Sequence, residues 1–169
     1  MSTVHAHAFD DVLLLEIDNP PVNATSQAVR RDLLEAVIRA DENASVKAIV
    51  IAGAGRTFTA GGDISEFGKA PLLPHLPDVM NRIEACGKPV VTAWHGTALG
   101  GGCELGLASH ARVIAKDGFI GLPEVKLGII PGAGGTQRLP RLTGPAAALS
   151  IIATGRMVSA TEARTLGIA

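Results

Sequence analysis

Two glutamates, Glu104 and Glu124, each stand beside a turn that frees backbone N–H groups. The segments read Ala98-Leu99-Gly100-Gly101-Gly102-Cys103-Glu104 and Gly121-Leu122-Pro123-Glu124. A third, Phe58-Thr59-Ala60-Gly61-Gly62-Asp63, supplies another glycine turn at the start of a short helix. Two carboxylates can take up and release protons, and backbone donors can hold a developing oxyanion beside them. Together they point to a reaction in which a carbonyl is polarised and protons move next to it.

Each segment also has a plainer interpretation. Glycines let a backbone approach a ligand and adopt positive φ. The free N–H groups of a helix start favour negative charge. Glu104 falls in the first turn of its helix, where an acid also simply complements the dipole. Asp63, in the first turn of a helix running through Phe67, has the same double meaning. Glu124 lies among Leu122, Val125 and Leu127. Burial there would raise its pKa toward neutrality, whereas exposure would pair it with Lys126 or an arginine. Gly132-Ala133-Gly134-Gly135 lacks the full dinucleotide pattern and follows no strand directly. The histidines at 5, 7, 75, 95 and 110 show neither triad nor metal-ligand spacing, so no metal is expected. Cys103 reads as a small core residue.

The elements that must position these residues follow from periodicity. Val12–Ile17 reads as a first strand, stopped by Asp18-Asn19-Pro20-Pro21. Thr25 or Ser26 caps a helix to about Ala40, with Val29, Leu33, Leu34, Val37 and Ile38 at helical spacing. Residues 47–52 and 89–94 read as buried strands. Residues 68–78, with prolines at 71, 74 and 77, read as a surface loop, and 78–86 as a helix. The turn at 100–102 opens a helix to about Ser109. Residues 111–115 and 119–121 are strand candidates. Helices follow after Gly132–Thr136, over 145–154 and over 160–166, and Met157–Ala169 as a whole offers an amphipathic helical face. Strands alternating with helices argue for an α/β fold. The glycine turns at 61–62 and 100–102 follow two apolar strands, whose ends would converge at one sheet edge.

The chain of 169 residues is long enough for one domain with a real core. Aromatic residues make up only 3%, so that core must be built from Ala, Val, Leu and Ile. A formal charge of -1 gives no footprint for nucleic acid or an anionic membrane. Cys86 and Cys103 have no paired spacing, which fits a reducing compartment. No signal peptide or lipid-facing span is read, so a soluble, cytoplasmic protein is expected. The chain stops after a helix at Gly167, as if about to enter a strand, which suggests a fragment of something longer.

Taken together, three segments resemble the enoyl-CoA hydratase/isomerase (crotonase) superfamily. They are Phe58–Ile64, Ala98–Leu105 and the run Pro123-Glu124-Val125-Lys126-Leu127-Gly128-Ile129-Ile130-Pro131-Gly132-Ala133-Gly134-Gly135-Thr136-Gln137-Arg138-Leu139. The likeness extends from about Val12 to Ile168. It implies an α/β, crotonase-like spiral of ββα repeats, assembled as a homotrimer or hexamer, with residues 1–169 forming one domain that lacks its C-terminal helices. It implies an acyl-CoA thioester substrate, with coenzyme A as part of that substrate and no separate cofactor. By motif match, the N–H groups of Gly62 and Gly101 would form the oxyanion hole. Glu104 and Glu124 would be the catalytic carboxylates. Ala24, Ala60, Asp63, Ile64, Ser65 and Gly132 would contact the substrate.

The expected reaction is hydration of a trans-2-enoyl-CoA to a 3-hydroxyacyl-CoA in fatty-acid β-oxidation. A Δ3,Δ2-isomerase would need Glu124 alone, and the presence of both glutamates favours hydration. Leu122 and the Ser109-His110-Ala111-Arg112 segment resemble the N-terminal part of bifunctional hydratase/3-hydroxyacyl-CoA dehydrogenases. A non-catalytic acyl-CoA-binding module would have no need for the retained glutamates and glycines.

Overall fold

The apolar run Val12–Ile17 forms strand β2, and a strand not expected from the sequence, β1 (Val4–Phe9), pairs antiparallel with it. β1 is an edge strand whose residues after Val4 are exposed, so its histidines and alanines carry little apolar alternation. The computed structural model describes residues 2–169. Helix α1 (Gln27–Glu42) starts at Ser26, whose hydroxyl accepts the Val29 N–H. Its buried face, including Val29, Leu33, Val37 and Ala40, covers the sheet.

Strands β3 (Ala48–Gly53), β4 (Val90–Trp94) and β6 (Ala111–Ile114) run parallel to β2 and complete a five-stranded sheet of order β1-β2-β3-β4-β6. A second layer holds β5 (Thr97–Leu99), β7 (Phe119–Gly121) and β8 (Met157–Ser159), in the order β5-β7-β8. Thr59 extends this layer through a parallel bridge to Ala98. The chain thus visits the two layers in turn: β3 then Thr59, β4 then β5, β6 then β7. The first two of these passes lead into α2 (Leu76–Glu84) and α3 (Gly101–Ala108). The third leads through a short 3-10 helix (Pro123–Leu127) to α4 (Gly135–Thr143). This repeated pass from layer to layer to helix is the spiral of ββα units. Helices α5 (Pro145–Thr154) and α6 (Ala160–Thr165) follow.

Two expectations are corrected. Helix α2 begins inside the proline-bearing stretch read as a loop. Pro77 occupies its first turn, where a missing N–H breaks no helical bond, and the Asp78 carboxylate accepts the His75 N–H at 2.8 Å. Met157–Ala169 is not one helix. Val158 pairs with Ile120 in the second layer, and the Ser159 hydroxyl caps α6 by accepting the Glu162 N–H. Of the apolar face read there, Val158, Ala163 and Ile168 are fully buried and Leu166 is half-buried. Among the described residues, no helix is long and apolar enough to cross a membrane.

Every residue of α3 is buried, which makes this helix the centre of the molecule. Gly102 and Gly106, one turn apart, let it approach its neighbours closely. A Cβ on Gly102 would stand 2.2 Å from the Thr59 methyl, and one on Gly106 would stand 2.1 Å from the Trp94 ring. Trp94 is itself buried and cannot swing away. Gly106→Ala is therefore expected to destabilise the fold by roughly 1–3 kcal/mol through overpacking, read as a fall in the urea midpoint. An unchanged midpoint would mean that this contact is looser than it looks.

Candidate active site

Three strand ends of the second layer deliver the site. The Thr59 N–H donates to the Thr97 C=O at 3.2 Å, and the Leu99 N–H donates to the Thr59 C=O at 3.0 Å. The Gly100 N–H donates to the Gly121 C=O at 2.9 Å. These bonds align the turns that follow, Gly61–Gly62, Gly100–Gly101 and Leu122–Glu124, along one edge. Gly100 adopts φ 49°, which L side chains rarely take, and a Cβ there would lie 3.2 Å from Glu124 Oε1. The residue type is thus fixed both by the turn and by the carboxylate packed over it.

The N–H groups of Gly62 and Gly101 have no hydrogen-bond partner among the described residues. They are close together, since a Cβ on Gly101 would fall 3.8 Å from the Gly62 nitrogen. Only one of them opens a full helix. The expected helix after Gly62 is a single 3-10 turn, Ile64–Glu66, and Asp63 is its cap, not part of its first turn. The Asp63 carboxylate accepts the Ser65 N–H at 2.9 Å. The dipole of α3 therefore acts at Gly101, while Gly62 contributes an isolated turn donor.

Glu104 is 2% exposed, yet it is not orphaned. Its Oε1 accepts the N–H groups of Ala133 and Gly135, each at 2.8 Å. Burial pushes its pKa up, and the two backbone bonds and the Arg138 charge oppose that rise. Glu124 receives no N–H from a distant turn, and only its own backbone N–H works against the rise in its pKa. Its Oε2 is buried without a partner. Burial, with the Glu104 charge adding to it, raises the Glu124 pKa from the ordinary 4.5 to about 7. Among the described residues Glu124 forms no ion pair with Lys126 or an arginine, and its Oε2 is buried, so the exposed alternative is set aside. The two acids lie in one cleft but differ in environment: one is held by N–H donors, the other is poised to carry a proton near neutrality.

The cleft between them encloses about 310 Å³. Of the expected residues, Gly62, Gly101, Glu104, Glu124, Ala60, Ile64 and Gly132 line it. Asp63 lines a neighbouring cavity with Arg30 and Lys69. Ser65 is exposed and lines neither, and Ala24 lies outside the wall, next to Thr25, whose N–H donates to the Gly61 C=O at 2.8 Å. Sequence reading missed Phe67, Leu76, Leu127, Ile129 and Ile130, which give the cleft an apolar flank. It also missed the work of Ala133 and Gly135. A signal for Gly135 existed in its type, since a Cβ there would stand 3.0 Å from Glu104 Oε1.

The Glu124 shift has a consequence for stability. The folded protein keeps this proton up to about pH 7, whereas the unfolded chain releases it near 4.5. Between those values the folded state binds more protons, so stability falls as pH rises through the window and levels above it. Glu124→Gln is expected to remove that contribution. Urea midpoints measured from pH 4.5 to 8 should therefore decline more steeply in the parent than in the variant. Parallel curves would show that Glu124 is not held protonated.

A cleft at the edge of a two-layer α/β spiral brings together one buried and one half-buried carboxylate, Glu104 and Glu124, with the free Gly62 and Gly101 N–H groups. The family model described as enoyl-CoA hydratase/isomerase matches residues 8–169, and the chain belongs to that family. A probable enoyl-CoA hydratase of Bacillus subtilis (strain 168) is 45% identical over 164 residues, covering 93% of this chain and 64% of its own length. The peroxisomal bifunctional enzyme of Danio rerio is 51% identical over 157 residues, covering 93% of this chain and 22% of its own length. The chain thus spans about two thirds of one relative and about a fifth of the other. The crystal structure of an enoyl-CoA hydratase from Mycobacterium tuberculosis H37Rv superposes with a TM-score of 0.92 at 33% identity, over 99% of this chain and 68% of that one. An enoyl-CoA hydratase from Bacillus anthracis gives 0.92 at 36% identity, over 98% and 68%.

Proposed function

We propose that this chain forms the site of an enoyl-CoA hydratase acting on trans-2-enoyl-CoA thioesters in fatty-acid β-oxidation. The observation that carries this reading is the pairing of Glu104 and Glu124 around a cleft that also holds the unpartnered Gly62 and Gly101 N–H groups. Family membership supports the substrate class. The thioester oxygen accepts from both N–H groups, which draws electron density from C3 and stabilises the enolate as water adds. Glu104, oriented by its two N–H donors, takes the proton of the attacking water. Glu124, with a pKa of about 7, delivers its proton to C2. One proton enters the pair and one leaves it, and exchange between the carboxyls and solvent resets them. The chemistry requires neither redox change nor a metal, because the N–H donors carry the developing charge. Coenzyme A would enter as part of the substrate, with Ala24, Asp63 and Ser65 toward its path and Ala60, Ile64 and Gly132 nearer the reacting end.

Loss of crotonyl-CoA thioester absorbance on mixing with the protein tests this reading. No hydration, with turnover of a 3-enoyl-CoA instead, would favour the isomerase that needs only Glu124. Neither reaction, with retained acyl-CoA binding, would favour a non-catalytic module. A homotrimer or hexamer fits the exposed Leu127, Ile130 and Leu149, and light scattering would test it. The free, buried Cys86 and Cys103 suit a reducing cytoplasm.

A further inference from the structure

We propose that Arg138 is a positioning residue for Glu104, acting through the Gly132–Gly135 turn that holds the Glu104 carboxylate. This inference deepens the hydratase reading and rests on it for the role of Glu104. The two N–H groups that Glu104 accepts belong to alternate peptides, those entering Ala133 and Gly135. The peptide between them must therefore point its carbonyl the other way, as in an anion-binding nest of backbone N–H groups. That carbonyl, Ala133 C=O, accepts from Arg138 Nη1 at 2.9 Å. The turn is thus gripped from both sides, by the carboxylate in front and the guanidinium behind.

The grip is built into the packing. Gly134 adopts φ 101°, and a Cβ there would collide with Arg138 Nη1. The guanidinium is itself fixed to α2, since Nη2 donates to Glu84 Oε2 at 2.7 Å and approaches Asn81 Oδ1 at 3.4 Å. Its side chain is 14% exposed, and its Nε is buried without a partner. A planar, always-charged fork can hold a carbonyl and a carboxylate at once, which a lysine ammonium does less well. The arginine charge also opposes the rise in the Glu104 pKa that burial causes. The other charged group facing Glu104 is Glu124, from the 3-10 helix, and Cys103 is its neighbour on α3 with a thiol pushed far toward the neutral form.

The test compares Arg138→Met, Arg138→Lys and Glu84→Gln with the parent protein. Carbon-13 carboxyl resonances of labelled glutamate, assigned with Glu104→Gln, are titrated without substrate. Glu104 is expected to titrate at higher pH in Arg138→Met, to move partway back in Arg138→Lys, and to change little in Glu84→Gln. In crotonyl-CoA hydration, kcat of Arg138→Met is expected to fall about 10- to 100-fold, as for a displaced catalytic group, with KM nearly unchanged. Thermal melting checks the fold, and if Arg138→Met does not fold the lysine variant carries the test. A folded arginine variant whose Glu104 resonance and titration match the parent overturns the proposal. Absence of hydration in the parent would overturn the hydratase reading alone, because the titration needs no turnover.

Discussion

Glu124→Gln is expected to leave the fold intact and lower crotonyl-CoA hydration by roughly 10²–10⁴-fold, the range for a lost general acid or base. The fold should survive because Glu124 Oε2 makes no hydrogen bond and the ordinary cost of burying this carboxylate disappears in the amide. Glu104→Gln should have an effect of the same order for a different reason. The amide oxygen can still accept the Ala133 and Gly135 N–H groups, so the turn stays in place, but the water loses its proton acceptor. Removing the Glu104 charge should also let the Glu124 pKa fall, since that charge is one cause of its rise. The double variant should be little slower than either single one, because residues acting as a unit lose their joint contribution once. Initial rates with melting curves decide the matter. A variant within about threefold of the parent, against the range above, removes its glutamate from the mechanism.

The large-sheet strands were legible because β2, β3 and β4 are short apolar runs bounded by turns, the pattern of strands covered on both faces. β1 was not, because an edge strand with exposed histidines needs no apolar alternation. β5 and β8 were not, because each is a three-residue strand with a single buried residue and so shows neither a period nor an apolar run. The glycine turns were legible as turns, but their convergence was not a property of spacing. It depends on the Thr59–Ala98 bridge and the β5–β7 register, both long-range pairings. Glu104 and Glu124 could be picked out by residue type, whereas the difference between them could not. That difference lies in where two N–H groups of a distant turn happen to point, and in Glu124 receiving neither of them. Asp63 was misplaced because a cap and a first-turn residue look alike in sequence. Arg138 gave no local signal at all, since its partners come from α2 and from the turn preceding its own helix.

Gly101→Val should abolish most acyl-CoA binding while costing the fold little. Its Cβ would lie 2.6 Å from Leu76 Cδ2, 3.2 Å from Thr25 Oγ1 and 3.8 Å from the Gly62 nitrogen. The added methyl groups would therefore stand between the two free N–H groups, where the thioester oxygen is proposed to sit. The closest neighbour is the end of a half-buried leucine that lines the open cleft, so it can swing aside, unlike Trp94 beneath Gly106. The donor itself remains, because valine keeps its N–H. With the carbonyl unable to reach both donors, kcat/KM should fall roughly 10²–10³-fold, the effect of losing one oxyanion-hole contact. Gly62→Ala makes the matched control: its Cβ would touch only the Phe67 ring, at 3.6 Å, so binding and fold should be nearly retained. Calorimetric titration with butyryl-CoA, which binds but cannot be hydrated, separates affinity from turnover. Parent-like affinity in a folded Gly101→Val protein would place the thioester away from this turn and leave Gly62 and Gly101 without the role proposed for them.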